Sequence, residues 1–121
     1  MTATTRSKTT EAVLDRHLAA FGAGELADVL ADYTEDSVII SNIGDFHGIE
    51  QIEQFFQGLL TEFGQEGVSV SLDEQRVQED VAYLTYHAET PDNVYEFVAD
   101  TFRIRNGKIA TQTLCAMISP E

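Results

Sequence analysis

The hydrophobic period changes once, near Gly64, and that change decides the fold class. Before it, Ile49, Ile52, Phe56, Leu59 and Phe63 step by three and four residues, with Phe55 and Leu60 widening the stripe. Side chains so spaced share one face of an α-helix, and Gly64 stands where a C-terminal cap is expected. After it, Val68, Val70 and Leu72 alternate with Ser69, Ser71 and Asp73, the two-residue period of a half-buried strand. "VAYLTYHAE", "VYEFVADTFRIR" and "KIATQTLCAMI" supply three further strands. The short turn sequences Pro91-Asp92-Asn93 and Asn106-Gly107 join neighbouring strands into antiparallel hairpins.

Upstream of the long helix, "MTATTRSKTT" is polar, small and aperiodic, so residues 1–10 read as a loose tail, with Thr10 capping a helix that opens on Glu11. Val13, Leu14, His17, Leu18 and Phe21 form one face of that helix, and Gly22 and Gly24 end it. "ELADVLADY" repeats the pattern with Leu26, Val29, Leu30 and Tyr33. "SVIIS" is a short apolar strand, and "NIGDFHG" a turn-rich connection. Helices followed by a meandering sheet indicate an α+β fold, and 121 residues suit one domain, here 11–121.

Charge narrows the partners. Twenty-one acids against seven Lys and Arg give a net charge of −14, a surface that repels phosphate backbones and anionic lipid heads. Nucleic acid and membrane are therefore excluded as expected partners. Two readings of the charge stay open: a salt-adapted surface, as in a halophile, or an acidic, well-solvated protein. No apolar run approaches the ~18 residues that span a bilayer, so the chain is expected to be soluble and cytoplasmic. Cys115 is the one cysteine, set in the apolar run "TLCAMI", which makes it a small buried hydrophobe and not a ligand or nucleophile. The three histidines are scattered, and neither a metal-binding spacing nor a phosphate or dinucleotide loop occurs. The expected chemistry uses no metal and no cofactor.

One acid stands out. Asp100 shares the parity of Val98, Phe102 and Ile104, so its carboxyl points where three apolar side chains point.

The order of elements, and the pieces "AFGAGELADVLADYTEDSVI", "FHGIEQIEQFF" and "DTFRIRNGKI", resemble the nuclear transport factor 2-like superfamily, in particular its SnoaL-like polyketide cyclase and ketosteroid isomerase branches. The resemblance runs from about Glu11 to Ile118. It implies a cone in which a strongly curved antiparallel sheet wraps around the long helix and encloses an apolar pocket. It also implies a homodimer formed through the outer face of the sheet. Under this resemblance Asp100 matches an acid that donates a proton inside the pocket, His17 matches a tyrosine of the isomerase oxyanion hole, and Tyr33 a second tyrosine of that network. The position of the isomerase's general base, eight residues beyond Tyr33, holds Ser41, which cannot take a carbon-bound proton unaided.

The catalytic candidates are thus Asp100, His17 and Tyr33. Phe56, Val98 and Phe102 are expected to line the pocket. "VAYLTYHAE" allows two orientations. In one, which we adopt, Tyr83 and His87 face the pocket; in the other Leu84 and Tyr86 do, and Tyr83 and His87 belong to the outer surface. Glu96 is expected to be exposed, Asp36 to serve a turn, and His47 to lie in a loop. Two functions fit. One is a cofactor-free lyase, cyclase or isomerase acting on a small hydrophobic carbonyl compound. The other is a non-catalytic module that binds a hydrophobic ligand or dimerises.

Overall fold

The computed structural model describes residues 4–121. Helix α1 spans Thr5–Gly22, α2 Leu26–Leu30 and α3 Gly48–Phe63, and the strands are β1 Val38–Ser41, β2 Gly44–His47, β3 Ser69–Gln78, β4 Val81–Glu89, β5 Asn93–Arg105 and β6 Lys108–Pro120. The six strands form one sheet in the order β2-β1-β6-β5-β4-β3. The α+β layout with three helices ahead of the main sheet is as expected. The description of the sheet as antiparallel needs correction: β1 runs parallel to β6, pairing Ile39 with Gln112 and Ile40 with Thr113, so the sheet is mixed. A parallel pair needs a long crossover, and here α3 and four strands intervene, which no local pattern announces. "NIGDFHG" is likewise not only a connection, since Gly44–His47 form the edge strand β2 against β1.

Residues 5–10, read as part of a loose tail, are helical, and residues 1–3 of that tail lie outside the described residues. The helix is capped by Thr4, whose hydroxyl accepts from Ser7 N at 3.0 Å, and not by Thr10. The reason lies in the hydroxyls that made the segment look like a tail. The hydroxyl of Thr10 donates to Glu79 O at 2.6 Å and that of Ser7 accepts from Glu79 N at 3.0 Å. Glu79 sits in the β3–β4 turn with φ 52°, outside the usual range for its type. A row of small hydroxyls three residues apart thus satisfies both polar groups of a strained turn and extends the helix onto it.

The Asn106-Gly107 turn behaves as its sequence demands. Both residues have positive φ, 53° and 73°, the type I′ geometry that lets a two-residue loop join twisted strands. Register shifts interrupt the ladders at Leu72/Glu74, Tyr86/Ala88, Tyr95/Phe97 and Arg103/Ile104. Bulges bend the strands that carry them, so four of them along β3–β6 curve the sheet. α1 packs on β3 and β4, and α3 on β1 and β2. The main core joins Val13 and Leu14 of α1, Ile52, Phe55 and Phe56 of α3, and Ala82, Leu84, Phe102, Ile104 and Ile109 of the sheet.

Candidate active site

Between α1, α3 and the bent sheet lies a cavity of about 560 Å³. His17, Phe56, Leu84, Tyr86, Asp100 and Phe102 contribute to its wall, and Ile43, Val70, Leu72 and Ile118 surround it with half-exposed apolar side chains. Among the described residues, no lysine or arginine reaches it.

The strand register explains why Asp100 is there. On β5, Val98, Asp100, Phe102 and Ile104 are buried while Phe97, Arg103 and Arg105 are exposed, so the acid shares the inner face with its apolar neighbours. Leu84 of β4 and Leu114 of β6 lie directly across from it. A carboxyl flanked by leucines on both sides has lost most of its water. Burial accordingly raises its pKa from 3.8 to about 7, against the opposing pull of the neighbouring Gln112 amide. The Gln112 amide has a defined orientation, because its Oε1 accepts the Tyr33 hydroxyl at 2.5 Å. Only Nε2 is left to donate to Asp100.

Asp100 is therefore connected to Tyr33 through Gln112 and makes no direct bond to it. Tyr33 itself is buried behind the wall, and burial, with the charges of Asp100 and Asp32, pushes its hydroxyl well above the ordinary value, so it acts as a fixed donor. His17 does line the cavity, edge-on to the rings of Tyr33, Phe56 and Phe102 at 5.6 to 5.8 Å between centroids. Its partner is not Asp100. Nδ1 faces Asp32 Oδ2 at 3.7 Å.

Asp32 carries no sequence signal that singles it out. It has no exposed surface, and its other oxygen, Oδ1, accepts from Arg16 Nε at 2.8 Å and Nη2 at 2.7 Å. Burial alone would raise its pKa, but His17 and Arg16 outweigh burial and hold it below the ordinary carboxylate range. Among the described residues, three buried side-chain atoms have no hydrogen-bond partner: His17 Nδ1, Asp32 Oδ2 and Asp100 Oδ1. All three belong to this one site. Buried polar atoms are nearly always paired, and one of the three exceptions is on the carboxyl that faces the cavity.

Of the other expected wall residues, Phe56 and Phe102 are in place. Val98 is wholly buried but packs with Ala88, Tyr95 and Ala116 in a second small cluster and does not reach the cavity. Tyr83 and His87 require correction. Leu84 and Tyr86 take the inner face of β4, because the bulkier apolar pair falls on the parity that opposes Asp100 and Val98. His87 lies on the other face, exposed, with Nδ1 3.0 Å from Asp73. Tyr86 adds a hydroxyl to the wall, and burial followed by the charge of Asp100 raises its pKa, leaving it a donor. Ser41 is occupied by a turn: its hydroxyl donates to Gly44 O at 2.7 Å and accepts from Ile43 N. Glu96 is exposed and accepts from Ser119, while Asp36 N donates to Thr34 in a turn. Two further expectations need correction: His47 is not in a loop but ends β2 and sits at the N-cap of α3, and Cys115 is exposed on β6, not buried. At the far end of α3, Glu62 accepts from Thr90, Asn93 and Tyr95 at 2.7 to 2.9 Å, which fastens the helix to the β4–β5 hairpin.

Comparison with known proteins agrees with the fold. Residues 14–112 match the family model described as a SnoaL-like domain. No curated protein matches the chain in sequence. Solved structures share the fold at low identity. An NTF2-like protein of unknown function from Mesorhizobium loti is 19% identical, with a TM-score of 0.81, over 96% of this chain and 97% of that one. SalBIII, an epoxide hydrolase/cyclase-like enzyme in pyran ring formation in the polyether salinomycin, is 13% identical, with a TM-score of 0.77, over 94% and 97% of the two chains. A de novo designed protein with a curved β-sheet is 17% identical, with a TM-score of 0.74, over 91% and 86%. An enzyme and a designed scaffold are thus similar to this chain to nearly the same degree, so fold alone carries no activity.

Proposed function

The chain belongs to the SnoaL-like domain family, and on that premise we propose that it is a cofactor-free acid/base catalyst, a lyase, cyclase or isomerase, acting on a small, neutral, hydrophobic carbonyl compound. The observation that carries this reading is the unpaired Oδ1 of Asp100 in a cavity without a cationic side chain. A carboxyl with a pKa of about 7 still holds its proton in about half of the molecules near neutrality and can give it to an oxygen on the ligand. The apolar wall and the lack of a lysine or arginine favour an uncharged ligand over a carboxylate or phosphate. The SalBIII neighbour is described as epoxide hydrolase/cyclase-like. Proton donation to a ligand oxygen would serve cyclisation as well as isomerisation.

A second reading, a binding module without turnover, is favoured by one observation: Ser41 stands where the isomerases hold their base, and its hydroxyl is spent on the β1–β2 turn. Proton exchange separates the two. In deuterated buffer, 2-tetralone, a small hydrophobic ketone with acidic α-protons, should exchange them faster with the protein than without it, and Asp100→Leu should lower the excess at least tenfold. Binding of 2-tetralone without exchange would support the module. Neither binding nor exchange would overturn both readings.

The outer face of the sheet supports a homodimer. Ile40, Phe97 and Met117 are 48, 43 and 58% exposed. Phe97 pairs with Met117, and Ile40 with Thr113, which shares the parity of Met117, so the three lie on the face opposite Gln112 and Leu114. Covering such a patch is the simplest account of it. Light scattering at high protein and molar salt, where self-repulsion is screened, should give twice the 13.4 kDa chain mass.

A further inference from the structure

The cavity holds an acid but, at the position expected from related isomerases, no base. The three unpaired buried atoms suggest where one is. His17 Nδ1 and Asp32 Oδ2 face each other at 3.7 Å, and neither has any other partner. Asp32 cannot easily turn away. Its Oδ1 is gripped by Arg16 at 2.7 and 2.8 Å, and its backbone carbonyl accepts from Ile109 N at 2.7 Å at the start of β6. His17 is held edge-on among Tyr33, Phe56 and Phe102, which offer its ring no other acceptor. A carboxylate facing one ring nitrogen favours the proton on that nitrogen and leaves the other bare.

We propose that Asp32 is a positioning residue: clamped by Arg16, its carboxylate keeps the proton of neutral His17 on Nδ1, so that Nε2 is left bare as the base of the cavity that Asp100 serves as acid. This rests on the reading of the cavity as an acid/base site, but it concerns a property of the ligand-free protein and fails or holds separately. It also accounts for Ser41 being free to serve a turn, since a base in α1 makes one in β1 unnecessary. Proton balance is simple for an isomerisation. Nε2 takes a proton from carbon as Asp100 gives one to the ligand oxygen; Asp100 then takes its proton back from that oxygen as Nε2 delivers its proton to a different carbon.

The measurement is the tautomer of His17, read from long-range proton–nitrogen correlations on uniformly labelled protein without ligand. In its neutral form, His17 should show a protonated Nδ1 and a bare Nε2. Asp32→Asn should reverse this. Arg16 would retain the amide oxygen, the amide NH₂ would then face Nδ1, and a donor there requires Nδ1 to be bare and the proton to move to Nε2. A merely structural role for Asp32 would not move the tautomer. His47 and His87, which lie away from Asp32, serve as internal controls and should not change. Should Asp32→Asn fail to fold, the wild-type tautomer decides alone, and Arg16→Leu, which keeps the carboxylate, should retain the proton on Nδ1. The proposal is overturned by a protonated Nε2 in neutral wild-type His17, by an Asp32→Asn variant with an unchanged tautomer, or by a ring that keeps both protons to the alkaline limit of stability. The 2-tetralone experiment tests Asp100 and the cavity independently of all three.

Discussion

Asp32 and Asp100 are two aspartates buried to nearly the same degree, 0% and 7% exposed, yet they are held in opposite charge states. Around Asp32 the protein supplies a guanidinium and an imidazole, and the carboxyl ionises more readily than in water. Around Asp100 it supplies leucines and one amide, and the carboxyl keeps its proton to about pH 7. Burial acts in the same direction on both. The difference is whether a cation is within reach, and that converts one side chain into a fixed anion and the other into a proton donor.

The largest effect on this contrast should come from the wall. Phe56 is 2% exposed and packs against both His17 and Tyr33. Phe56→Ala should cost ~3 to 5 kcal/mol in denaturant titration. It should also admit water to the cavity and lower the pKa of Asp100 toward 3.8, while Asp32, set by its partners, stays put. An Asp100 pKa that does not fall would mean that something other than a dry wall holds it up.

Next in size is the pH dependence. The folded pKa of Asp100 lies above its unfolded value, so between 3.8 and about 7 the folded state retains a proton that the unfolded chain has released. Stability therefore falls as pH rises through that window. Asp32 does the reverse: its folded pKa is depressed, so its contribution is present above pH 3.8 and is lost as pH falls through the folded pKa. Asp100→Asn should be neutral near pH 4 and stabilising by on the order of 4 kcal/mol above pH 8, where the wild-type carboxyl must be buried as an anion. Equal stabilities of variant and wild type at both pH values would show Asp100 to be an ordinary solvated acid.

These two carboxyls also mark what can be read from the sequence. Asp100 is legible because a two-residue period assigns each side chain to a face, and an acid on the apolar parity violates the pattern. The same rule, applied to "ATQTLCAMI", finds Gln112, which shares its parity with Leu114 and Ala116. An amide is a less conspicuous intruder than an acid, and so it escapes notice. Asp32 has no such signal. It follows α2 in "ADYTED", where acids normally cap and solvate turns, and its burial depends on Arg16 and His17 from another helix and on Ile109 from the last strand. The face of β4 is ambiguous because Tyr83 and Tyr86 carry the same kind of side chain on opposite parities, and only the pairing with β5 resolves it. The α3 stripe and the hairpins are legible because periodicity and turn chemistry are local. The β1–β6 pairing joins residues about 70 apart, and nothing local encodes it.

A smaller effect follows from removing the cation. Arg16→Met leaves Asp32 buried with only His17 before it. The Arg16 side chain is 56% exposed, so solvent screens part of the interaction, and the loss at pH 7 should be about 2 kcal/mol instead of the larger cost of a fully buried pair. The pKa of Asp32 should rise, making it more like Asp100. The penalty should shrink as pH is lowered and both states take up the proton. A loss that is the same at pH 4 and pH 7 would point to packing of the arginine stem as its cause.

The smallest expected effect tests the link between the acid and its setting. Tyr33 donates to Gln112 Oε1, and this bond holds the amide so that its NH₂ faces Asp100. Tyr33→Phe removes one buried hydrogen bond and leaves an amide oxygen unpaired, for a loss of ~1 to 2 kcal/mol. The consequence for Asp100 has a definite sign. The bond from Gln112 is what restrains its pKa against burial, so an amide free to turn restrains it less, and the pKa should rise above about 7. Direct action of Tyr33 predicts otherwise. If its hydroxyl donated to the carboxylate, the rise would appear equally in Tyr33→Phe and in a Tyr33→Phe, Gln112→Leu double variant. If Gln112 carries the effect, Gln112→Leu alone should raise the pKa fully, and adding Tyr33→Phe should change it no further. Carbon-detected titration of the Asp100 carboxyl in the three variants distinguishes the two routes, and a pKa that falls in Tyr33→Phe would break the relay through Gln112.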